Sequence, residues 1–151
     1  MPEAQIFRYK KLSSDFETGR KNTMLCQTDH IVGAVQLIKK GGETRMHSHA
    51  NLDGLWMVLS GKARFYGEGE NGEDVLLGEF GQHEGVLIPR NFRYWFECAS
   101  EDQPLELLQV EASNVPLKQF FAGKATNIIE RADAVVNRVA QPDKAEAAAS
   151  A

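Results

Sequence analysis

Two histidines one residue apart, His47 and His49, constrain this chain more than any other feature. They lie in Gly41–Gly61, GGETRMHSHANLDGLWMVLSG. Side chains at i and i+2 of a strand share a face, whereas a helix sets them roughly 200° apart. A strand therefore brings both imidazoles to one place. Just downstream, Leu55-Trp56-Met57-Val58-Leu59 is a short apolar run closed by Ser60-Gly61, which reads as a buried strand and a turn.

Two imidazoles on one face suit a borderline divalent metal such as Zn, Fe, Ni or Mn. Titrating near neutrality, they equally suit proton transfer. Short strands recur along the rest of the chain at intervals of roughly eight to twelve residues, a pattern that argues for an all-β sandwich or barrel. The expected strands are Ile6–Tyr9, Thr23–Thr28, Ile31–Lys39, the HxH segment, Leu55–Leu59, Lys62–Tyr66, Asp74–Phe80, Val86–Ile88, Tyr94–Cys98 and Leu105–Val110. Ile31, Val35 and Leu37 share a parity and are expected on one buried face.

The glycine and histidine spacing resembles the first motif of the cupin superfamily: glycine, five residues, HxH, three or four residues, glutamate, six residues, glycine. Gly41, His47, His49 and Gly61 stand at that spacing, and Gly54 occupies the glutamate's place, with Asp53 beside it. In the family's register Asp53 points the other way. The second motif, glycine and acid followed by an apolar strand ending in Ile-Pro, is matched by Glu84 to Tyr94. Tyr94 stands where the family has its fourth ligand. The resemblance runs from about Gly41 to Val110 and implies an all-β, cupin-type jelly-roll β-barrel.

Within that barrel the segments divide into N-terminal strands (1–40), the cupin core (41–112), a C-terminal segment docking on barrel or partner (113–139) and a disordered tail (140–151). Ile128–Val139 has apolar residues at helical spacing, so the C-terminal segment is expected to be a short helix; Leu117–Phe121 is either a short helix or an edge segment.

Three functional readings follow. In the first, a divalent metal is held by His47 and His49, helped by His83, Asp53 or Tyr94, and activates a carbonyl, O₂ or water as in a metal-dependent oxygenase. In the second, the chain is a metal-free isomerase or epimerase, resembling some sugar-modifying cupins. His47 or His49 would abstract a proton beside a carbonyl and Tyr94 would return one across the ring. Trp56 would line the pocket, and Arg90 and Arg93 would hold an anionic group of the substrate. In the third, Trp56, Phe92, Tyr94, Trp95 and Phe96 surround a cavity that binds a small molecule without turnover.

Composition excludes other classes. A net charge of −4 and a pI near 5.6 leave no basic stripe for nucleic acid. No apolar run approaches the ~18 residues a membrane helix requires. Cys26 and Cys98 form no CxxC unit and read as free thiols, the N-terminus lacks an apolar signal, and the cytoplasm is the default compartment. A homodimer is implied by resemblance to other small cupins.

Overall fold

In the computed structural model, residues 3–117 and the backbone of 136–138 are described. The chain forms β1 (Arg20–Gln27), β2 (Ile31–Ile38), β3 (Leu52–Ser60), β4 (Ala63–Glu68), β5 (Asp74–Phe80), β6 (Gly85–Ile88), β7 (Tyr94–Cys98), β8 (Leu105–Ser113) and β9 (Val136–Arg138). One sheet has the order β6-β3-β8-β2-β1-β9 and the other β5-β4-β7; their described ladders are all antiparallel. This all-β, two-sheet arrangement is the expected jelly roll.

Alternation along the strands fills the space between the sheets. Tyr94, Phe96 and Cys98 of β7 are buried, with the residues between them partly exposed, and Leu52, Gly54, Trp56 and Val58 of β3 repeat the pattern. The core joins Ile38, Trp56, Val58, Leu105 and Leu107 to Ala63, Phe65, Tyr94, Phe96 and Cys98. Fully burying each large apolar side chain stabilises the fold by about 1.5–3 kcal/mol. Phe96 sits 4.9 Å from Phe65 and 5.0 Å from Trp56 between ring centroids, in tilted and stacked contacts that add to that burial.

Gly61 and Gly85 are required by the backbone. Gly61 holds φ near +83° in the β3–β4 turn. A Cβ on Gly85 would lie 1.8 Å from the Trp56 carbonyl oxygen, so only glycine lets β6 close against β3.

Several expectations are corrected. Ile6–Tyr9 is not a strand: Ile6 is 80% exposed, and the side-chain amide of Gln5, rather than a backbone ladder, bonds the Gln27 backbone N–H and C=O. The segment is anchored instead by the Tyr9 hydroxyl, which donates to Glu106 at 2.5 Å. On β2, Ile31 is exposed while Val32, Ala34 and Ile38 of the opposite parity are buried along with Val35 and Leu37. Residues of both parities on β2 are therefore buried; Ile38 lies in the main core and Val32 in a second cluster with Leu52 and Leu117.

The HxH segment is not a regular strand. It makes a single bridge, His47 to Tyr94, extended by bonds of Thr44 to Phe96, so it lines the edge of the smaller sheet before the chain crosses to β3. Of the segment expected as a helix over Ile128–Val139, residues Val136–Arg138 instead pair antiparallel with Arg20–Asn22 of β1. The remainder of that segment, positions 118–121 and the tail 140–151 lie outside the described residues. Cys26 and Cys98 are both free thiols. Among the described residues no helix is long and apolar enough to cross a membrane.

Candidate functional site

The site starts from the bridge between His47 and Tyr94. The two residues exchange backbone hydrogen bonds of 3.0 and 2.9 Å, which places their side chains on one face, with ring centroids 4.4 Å apart. Both are buried, at 7% and 2% exposure. His49 follows at the next same-facing position, its ring 4.9 Å from that of His47 and edge-on to it. The convergence expected of the pair is therefore present although the regular strand is not.

His47 Nδ1 lies 2.5 Å from the Arg45 carbonyl oxygen. A carbonyl only accepts, so Nδ1 carries the proton and Nε2 the lone pair. Burial pushes the His47 pKa down to about 4, opposed by that hydrogen bond and reinforced by the nearby charges of His49, Arg20 and Arg93. The imidazole is neutral at pH 7. His49 Nε2 lies 3.3 Å from the Tyr94 hydroxyl, and its Nδ1 is buried with no hydrogen-bond partner.

A buried carboxylate that the sequence reading missed lies across the sheet from Gly54. Glu111 of β8 is the register partner of Gly54 on β3, and it is 5% exposed. A Cβ built on Gly54 would lie 3.9 Å from Glu111 Cγ and 3.1 Å from Trp56 Nε1. Gln109 donates to Glu111 Oε1 at 2.6 Å, and Gln36 donates to Gln109 at 2.6 Å, so a row of amides leads to the acid. Burial holds the Glu111 carboxyl above the usual carboxylate range; the charge of His49 and the Gln109 hydrogen bond act in the opposite direction. The available signal was the alternation Leu105, Leu107, Gln109, Glu111, which continues the inward face past the expected end of the strand at Val110.

Other predicted residues fall in different places. Trp56 is 3% exposed and faces inward, with Nε1 buried and unpartnered. His83 is an exposed turn residue at φ near 66°, its backbone N–H bonded to the Val58 carbonyl. Val58 stands four residues beyond Gly54 on β3, about 13 Å along the strand, so the turn does not carry His83 to the histidine pair. Asp53 points outward, accepting from the Arg90 backbone N–H at 2.9 Å and lying 3.7 Å from its guanidinium. Arg93 bonds Glu68 at 2.7 Å. Both arginines are thus held at the surface by carboxylates. Of the aromatics, Trp56, Tyr94 and Phe96 face the core, whereas Trp95 stacks on Tyr66 at 4.2 Å and Phe92 is 38% exposed.

Among the described residues no three His, Cys, Asp or Glu side chains are grouped to hold an ion. His83 and Asp53 are directed elsewhere, and one nitrogen of His49 faces Tyr94. The arrangement does not fit the three protein ligands of a typical catalytic metal site. What it brings together is a neutral imidazole, an imidazole in contact with a phenol, a buried carboxyl and an indole N–H.

No family model matches this sequence, and no curated protein matches it. Solved structures do. A protein with a double-stranded β-helix domain from Klebsiella pneumoniae is 18% identical, with a TM-score of 0.58 over 75% of this chain and 88% of its own. An RmlC-like cupin from Shewanella frigidimarina is 16% identical, with a TM-score of 0.55 over 75% and 95%. KdgF from a Halomonas species is 14% identical, with a TM-score of 0.54 over 67% and 84%. These likenesses show that the chain has the fold of the cupin superfamily.

Proposed function

We propose that this chain binds a small polar molecule bearing a carbonyl or hydroxyl group in the His47–His49–Tyr94 pocket and moves a proton on it as a metal-free isomerase. The contact that carries this reading is His49 Nε2 to the Tyr94 hydroxyl at 3.3 Å. An imidazole next to a phenol forms an acid–base pair able to take a proton from a carbon beside a carbonyl and to protonate the resulting oxyanion. The spacing bears on the type of reaction. Inversion at a carbon needs acid and base on opposite faces of the substrate. Groups in mutual contact act from one face, so the pair suits an isomerisation with proton transfer along one side better than the epimerisation also considered above.

The test is incubation with aldoses, ketoses and small hydroxy-ketones in D₂O, read by NMR. Deuterium entering carbon beside the carbonyl supports the reading. No exchange across the panel, or exchange undiminished in Tyr94→Phe, counts against it.

A divalent ion on His47 and His49 is the second reading. One observation favours it: the Arg45 carbonyl fixes the His47 tautomer with its Nε2 lone pair, as in many metal-binding histidines. Elemental analysis of untagged protein, with His47→Ala/His49→Ala as control, decides it. The homodimer expected above is part of the proposal too, supported by the outward, register-paired Leu55 and Leu87, which are 45% and 63% exposed. Sedimentation tests it.

A further inference from the structure

Resting on the reading of this pocket as a small-molecule site, we infer that Trp56 and Glu111, which meet beside Gly54, form a subsite for a hydroxyl group of a neutral polyol or sugar. Trp56 Nε1 is a donor with no partner on a side chain only 3% exposed. Buried donors of this kind are rare in native proteins and are ordinarily met by water or a ligand. It points at Gly54, where any side chain would begin 3.1 Å from it. Glu111 flanks the same position from the neighbouring strand and is 5% exposed. His49 Nδ1 is likewise buried and unpartnered.

The chemistry narrows the occupant. An indole N–H only donates, so it repels a cation and requires an acceptor. A carboxylate repels an anion and calls for a donor; when protonated it can donate instead. A hydroxyl satisfies both neighbours, since it accepts from the indole and either donates to or accepts from the carboxyl. Gln109 fills one Glu111 oxygen and leaves the other to a ligand hydroxyl.

The experiment follows the indole N–H of Trp56 by ¹H–¹⁵N NMR of the full chain during titration with xylitol, D-ribose and D-glucose, with acetate and phosphate as charged controls. The chain has two tryptophans, so Trp95→Phe assigns the Trp56 signal without touching the site. The expected result is a saturable shift of that signal with a neutral polyol or sugar and a loss of affinity of tenfold or more in Glu111→Gln. If the His49 ring signals move and the indole does not, the subsite is overturned while the pocket stands. If neither moves with any compound, both are overturned. A shift with the anions alone, or unchanged affinity in Glu111→Gln, overturns the hydroxyl assignment.

Discussion

Glu111 of β8 stands opposite Gly54 of β3 in the antiparallel register, and its Cγ lies 3.9 Å from where a Gly54 side chain would start. A carboxyl absent from one strand is thereby provided by the next. Placing glutamate at 54 as well should crowd the Trp56 indole and set two buried carboxyls against each other, forcing one to hold a proton. Gly54→Glu is expected to lower stability by about 2–3 kcal/mol in urea unfolding, with more than half recovered in Gly54→Glu/Glu111→Gln. Losses that simply add would show that the two positions do not meet.

Gln109 joins Gln36 to Glu111 through two bonds of 2.6 Å. Gln109→Leu leaves a buried acid and a buried amide each short of a partner, a loss of about 2–4 kcal/mol. Gln36→Leu removes one bond to a neutral amide and should cost clearly less. Denaturant midpoints compare the two directly.

The pH dependence of stability follows from His47. Its folded-state pKa is pushed to about 4 by burial, below its unfolded value of about 6.5. The unfolded chain therefore takes up the proton first. The contribution is complete above pH 6.5 and is lost as pH falls toward 4, amounting to at most about 3 kcal/mol. Thermal midpoints should decline over that window in the native chain, and the slope should flatten in His47→Gln.

Tyr94→Phe keeps the ring packed between His47 and Phe65 and removes the hydroxyl that meets His49. Near-UV circular dichroism should be preserved. Any deuterium exchange catalysed by the native chain should fall by about 10²–10⁴, the range ordinarily supplied by a general acid.

Much of the fold was readable from local pattern. Gly41, His47, His49 and Gly61 carry the motif spacing, and β5 and β7 begin and end where their apolar and aromatic runs do. Errors arose where distant partners decide. Ile6–Tyr9 has strand composition but receives its cross-links from Gln5 and Glu106 side contacts instead of a ladder. His83 lies within reach of the pocket only if its turn folds over the barrel, and the Val58 bond holds it elsewhere. The alternation through Leu105, Leu107, Gln109 and Glu111 could have placed Glu111 on an inward face, but its place opposite Gly54, 57 positions earlier, is set by sheet register and by no local motif. The loss of a carboxylate at Gly54 was legible; its replacement across the sheet was not.

The central claim is that Glu111 is a buried acid whose charge is coupled to His49, and the ¹³C titration of its side-chain carboxyl tests it most directly. The account predicts a midpoint above the usual carboxylate range, because burial disfavours the charge, and a further rise in His49→Gln, because the charge interaction that opposes burial is lost. A Glu111 that titrates as an ordinary exposed glutamate, with a midpoint unmoved by His49→Gln, would contradict it.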